Sequence, residues 1–106
     1  MRAGRLRHRV TIQRPVNMQS EYGSKTGYAW EDLATVWASV EPLRGREFLD
    51  AEAEGAEVTT RIVIRYRENV GPACRVVWGT RAYDVVSTLS VEERDRQIEL
   101  MCREVL

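Results

Sequence analysis

The sequence predicts a mainly β domain, a small antiparallel β-barrel or sandwich of about six strands with one short inserted α-helix. Two observations carry this. Apolar side chains alternate with polar ones in several separate runs, four of them closed by Gly or Pro, and only one stretch breaks to a helical spacing. With 106 residues the chain forms one domain over 1–106, because its core is modest and does not divide into two.

The first run, "LRHRVTIQRP", sets Leu6, His8, Val10 and Ile12 on one face and Arg5, Arg7, Arg9, Thr11 and Gln13 on the other, with Pro15 expected to end it. "VNMQSEYGSKTGYAW" has no apolar period and reads as a long loop after the first strand, either a hairpin tip or a functional segment. "WEDLATVWASVEPL" resumes strand character, with Val36, Ala38 and Val40 set against Trp37, Ser39 and Glu41 until Pro42. In "GREFLDAEAEGAE" the positions Leu43, Phe48, Leu49 and Ala53 are spaced as on a helix face, and Gly55 is a natural stop.

Strands follow from Glu57 onward. "EVTTRIVIRYR" turns at "ENVGPA". "CRVVW" is joined to "RAYDVVSTLS" by Gly79-Thr80, which predicts a tight type II′ hairpin. The closing "DRQIELMCREV" sets Ile98, Leu100 and Cys102 opposite Gln97, Glu99, Met101 and Arg103. Antiparallel strands with one apolar face each bury it most simply by closing into a small barrel or sandwich.

Sixteen basic and sixteen acidic side chains give a formal net charge of zero. Such a balance argues against tight, non-specific nucleic-acid binding, which draws most of its affinity from excess positive charge. The N-terminal stretch has no apolar signal region, and no run nears the roughly 20 apolar residues that span a bilayer, so a protein made in the cytoplasm with no membrane partner is expected. Cys74 and Cys102 lie far apart in strand-like runs without ligand spacing; buried thiols are expected, with a disulfide or metal pair as the alternatives.

Chemistry is hard to find. His8 is the lone histidine, on the apolar side of a strand, and there is no nucleophile-elbow pattern around which to build a triad. "YGSKTG" lacks the spacing and preceding strand of a phosphate loop. The acidic run Asp50, Glu52, Glu54 and Glu57 lacks the alternating oxygen ligands of a calcium loop, so a solvated or partner-facing helix surface is expected. Asp84 has no identifiable acid–base partner. No enzyme, no metal and no cofactor are expected.

"TRIVIRYR" places Thr60, Ile62, Ile64 and Tyr66 on one face and Arg61, Val63, Arg65 and Arg67 on the other. A half-buried strand with charges outward explains the pattern, and cross-strand Glu99 or Asp84 are available to neutralise it. The alternative is a basic stripe facing an acidic partner or a DNA channel. An OB-like barrel stacking bases on Trp30, Trp37 or Tyr66 would use the same arginines.

Read in order, the chain resembles the small head–tail joining (head-closure) proteins of long-tailed bacteriophages. The resemblance is carried by "AGRLRHRVTIQRP", "EYGSKTGYAWEDLATVWASVEPLRGREF", "TTRIVIRYRENVGPACRVVWGTRAYDVVS" and "DRQIELMCREV". Within these stand Gly4, Leu6 and Arg7; Gly23, Gly27 and Trp30; Trp37, Ala38 and Val40; Gly45, Arg46 and Glu47; Arg61, Ile62, Arg65, Tyr66 and Arg67; and Tyr83 and Asp84.

That resemblance implies structural work in the virion. Such proteins form a ring below the portal and its adaptor, close the channel through which viral DNA passes, and offer a docking surface to tail proteins. The segment Asn17, Gln19, Glu21, Tyr22, Gly23, Lys25, Gly27 and Tyr28 is then the candidate gating loop. Arg46, Glu47, Asp50, Glu52, Glu54, Arg61, Arg65 and Arg67 are candidates for ring or partner contacts. A tail-completion or terminator role is the nearest alternative.

Overall fold

A computed structural model describes residues 6–19, 25–53, 55, 57–91 and 96–105. Among these residues there are six strands, β1 (His8–Gln19), β2 (Lys25–Pro42), β3 (Thr60–Arg65), β4 (Arg75–Trp78), β5 (Arg81–Val91) and β6 (Gln97–Val105), and one helix, α1 (Arg46–Ala53). The strands close into a barrel in the order β1-β2-β3-β6-β5-β4, every neighbouring pair antiparallel. Closure leaves the barrel without an unpaired edge.

The inward rows are those the alternation marks. Val10 and Ile12 of β1, Ala38 of β2, Ile62 and Ile64 of β3, Val76 of β4, Tyr83 and Val85 of β5, and Ile98, Leu100 and Cys102 of β6 form one buried cluster. Leu100 is wholly buried, so truncation to Ala should cost about 2–5 kcal/mol. His8 is half-buried on this side with its ring 4.6 Å from that of Trp78, the partly buried strand histidine its position suggests. Both cysteines are free and buried.

The Gly79-Thr80 hairpin forms as expected. Trp78 pairs with Arg81, and Gly79 carries a φ of 62°. Thr80 does not share it, which fits type II′. The turn before β4 is less comfortable. Cys74 N–H donates to the Gly71 carbonyl at 3.1 Å across Pro72-Ala73, and Ala73 sits at φ 83°, where glycine is the usual occupant.

Four expectations need correction. Pro15 does not end the first strand, which runs on to Gln19 with Pro15 opposite Trp30. Beyond Gln13 this strand has no second neighbour, because β4 pairs only with Thr11, Ile12 and Gln13, and an edge position tolerates a residue without an N–H. The expected long loop is consequently mostly strand: Asn17 pairs with Tyr28, Met18 with Gly27 and Gln19 with Lys25. Third, the helix face is not a core face. Leu43 is buried ahead of the helix, whereas Phe48, Leu49 and Ala53 are exposed, Leu49 by 62 %. Fourth, β3 stops at Arg65, so Tyr66 leaves the apolar row and is exposed, while Val63 on the arginine row is buried between Ser39 and Glu99.

Beyond the barrel β1 and β2 continue as a two-stranded ribbon. From Arg14 to Gln19 the ribbon spans about 20 Å at the usual strand rise, which matches the elongation of a molecule measuring 49 × 30 × 26 Å. A register shift between Ile12 and Gln13 marks where the ribbon departs from the wall.

Candidate functional surfaces

Three surfaces emerge, and all follow from which strand faces which. The first is a lattice of ion pairs on the barrel wall. Arg61 bonds Glu47 of α1 and lies 3.4 Å from Glu99 of β6. Arg75, Asp84 and Arg103 stand in register on β4, β5 and β6, with Asp84 3.3 Å from Arg75 and 3.5 Å from Arg103. Arg103 reaches on to Glu57 at 3.1 Å, and Arg81 grips Glu104 through two bonds of 2.8 Å. The Arg81 guanidinium holds the Glu104 carboxyl below its usual range. Asp84, which has no evident partner in sequence, is thus a bridge between two arginines, a structural position.

The second surface is the ribbon. Its wall-side half is fastened by Gln13 to Asp32 at 2.9 Å, by Arg14 to Glu31 at 3.3 Å, and by Arg75, whose guanidinium carbon lies 4.3 Å from the centroid of Trp30. Each contact joins residues that a linear reading separates by 17 or more positions, so only the pairing reveals them.

The third is a shallow groove of about 340 Å³ where the start of β1, the middle of β2 and the segment after β3 meet. Leu6, Val36 and Trp37 give it apolar walls, and Arg9, Arg65 and Arg67 make it basic. Arg9 lies opposite Trp37 in register, its guanidinium 5.0 Å from the indole centroid, and Trp37 remains 51 % exposed. Among the described residues neither Arg65 nor Arg67 is in an ion pair.

The candidates named from sequence fall on these surfaces unevenly. Arg46, Glu47 and Asp50 lie exposed on α1, and Arg61 is drawn into the wall lattice through Glu47 and Glu99, while Arg65 and Arg67 belong to the groove. The arginine ladder is therefore split between two environments. Asn17, Gln19, Lys25, Gly27 and Tyr28 are ribbon backbone and Glu52 is helix backbone; Glu21, Tyr22, Gly23 and Glu54 lie outside the described residues. Absent from the sequence-based candidates are Arg9 and Leu6, whose roles depend on the β1–β2 register. Trp37 figures among them only as a base-stacking group.

No helix among the described residues is long and apolar enough to cross a membrane. No curated protein matches the chain. Solved structures that resemble it include two of note. The solution structure of protein SF1141 from Shigella flexneri 2a is 34 % identical with a TM-score of 0.76, covering 98 % of this chain and 96 % of that one. A chain in the virion of a native gene transfer agent particle shares the fold at 20 % identity and a TM-score of 0.64, over 95 % of this chain and 96 % of that one. The family model for the phage head completion protein matches residues 1–105. With a closed barrel, a projecting ribbon and that match over nearly its whole length, the chain belongs to the phage head completion proteins, whose work is structural, in head morphogenesis.

Proposed function

We propose that the chain acts in the virion as a ring at the head–tail interface, closing the DNA channel after packaging and presenting the surface on which the tail docks. The observation that carries this is the family match across residues 1–105, since head completion requires a protein that seals a filled head. The neighbour at 20 % identity is a chain of a gene transfer agent virion, which agrees with a place in a particle.

The shape suits the task. A barrel closed on itself is a rigid building block, and its outer wall is already stitched by ion pairs. The ribbon is the part with no other strand to bind, and it is long enough, at about 20 Å, to reach from a ring of barrels towards a central channel. Residues 17–28 are the plug on this reading. The partners are the portal or adaptor ring on one side, tail proteins on the other, and the viral DNA between them.

The test is complementation. Heads made without this chain should package DNA, lose it on purification and fail to take tails, and the purified protein should restore both properties. Heads that keep their DNA and join tails without it would overturn the proposal.

A further inference from the structure

We infer that helix α1 of one copy docks into the arginine-lined groove of a second copy, and that this contact is the head-to-tail joint from which a ring of the chain is built. The inference rests on the ring reading above and names the surfaces that make it.

Among the described residues each surface leaves groups without a partner, in complementary ways. Helix α1 carries Phe48 and Leu49 to the outside, Leu49 by 62 %, beside the exposed carboxylate of Asp50. A helix that buries neither of its large apolar side chains gains little from its own fold and has an apolar face to offer. The groove offers the counterpart: apolar Leu6, Val36 and Trp37, with Arg65 and Arg67 in no ion pair among the described residues. An acidic, apolar helix matches a basic, aromatic-walled groove in both charge and polarity.

The helix does not fill the groove of its own chain. Glu47 holds α1 to Arg61 near the start of β3, whereas Arg65 stands four residues farther on, about 13 Å at strand rise. The two patches are thus different places on one molecule. A contact between unlike patches is heterologous: repeated from copy to copy it propagates, closing into a ring when the rotation permits, whereas a contact between like patches stops at a dimer.

The test uses the purified full-length chain carrying Leu49→Cys and Tyr66→Cys, placing one thiol on the helix and one at the groove rim; the native cysteines are buried. Under mild oxidation at high protein concentration, a denaturing non-reducing gel should show a ladder beyond the dimer, reversed by reductant. A control pair, Leu49→Cys with Leu89→Cys, should not give it. Adding Arg65→Glu and Arg67→Glu should slow laddering about tenfold, and Asp50→Arg should recover part of the loss. Absence of a ladder, an equal ladder from the control, or indifference to the charge changes would overturn the inference. So would protection of the rim thiol from alkylation by a single-stranded oligonucleotide in a chain that does not ladder, which would make the groove a nucleic-acid site. Since no phage head enters this experiment, failure here leaves head completion standing, and failure of complementation leaves the ladder to be judged by itself.

Discussion

The guanidinium of Arg75 lies over the indole of Trp30, its central carbon 4.3 Å from the ring centroid, and so fastens the projecting ribbon to the barrel wall. Arg75 is itself aimed by Asp84 at 3.3 Å, which Arg103 holds from the other side. The ribbon's orientation is therefore set by a chain of contacts across β4, β5 and β6.

Trp30→Ala removes that fastening while leaving the barrel core untouched. The cost to stability should be small, about 0.5–1 kcal/mol for a partly exposed cation–π contact, but its effect should be local. Amide hydrogen exchange should quicken at residues 14, 16 and 29–31 and stay unchanged in β3 and β6. Unchanged protection in the ribbon would show that strand pairing alone orients it.

Ala73 occupies a left-handed conformation, φ 83°, at the third position of the Gly71–Cys74 turn, where a Cβ is strained. Ala73→Gly should relieve this and stabilise the fold by about 1 kcal/mol despite the freer unfolded chain, raising Tm by roughly 4–8 °C. A lower Tm would show that packing around the Ala73 methyl group outweighs the backbone term.

Burial pushes the Cys102 thiol up to about 12, from an ordinary value of 9.0. A raised folded-state value favours the neutral form in the fold. The stabilisation it reports is thus complete below pH 9, and it is lost as pH rises towards 12, because the unfolded chain releases its proton first. Tyr83, also raised by burial, adds a loss of the same sign at higher pH. Chemical denaturation from about pH 8 to about pH 11 should show stability falling, and Cys102→Ala, though less stable throughout, should have a flatter slope from about pH 9 to about pH 10. Equal slopes would contradict a buried neutral thiol.

Much of the barrel is legible in the sequence because a closed wall has one wet and one dry face. Ile62, Ile64, Ile98 and Leu100 recur at every second residue for that reason, and Gly79 announces its own turn. The ribbon is not legible in this way. It stands outside the barrel, so no core imposes alternation on Asn17 to Tyr28, and its pairing reads as loop composition. Pro15 misleads for a related reason: a proline breaks a strand where a neighbour lies on the side its missing N–H would face, and past Gln13 the strand has a neighbour on one side only. The groove is invisible for a third reason. Arg9 and Trp37 are 28 positions apart, and only the β1–β2 register sets one over the other. By contrast, the pairing of Arg61 with Glu99 is legible as an option, since both sit on the outward rows of apolar strands.

The proposal that the ribbon is the plug is tested most directly by DNA retention in heads completed with a shortened ribbon. Residues 17–28 are replaced by a two-residue Asn-Gly turn that rejoins Val16 to Ala29, partners at that point of the ribbon, so the barrel, groove and helix are kept. Circular dichroism and Tm check that the barrel still folds. The shortened protein should still bind filled heads, but those heads should leak DNA. Heads that bind it and hold their DNA as well as those completed by the full-length chain would contradict the plug.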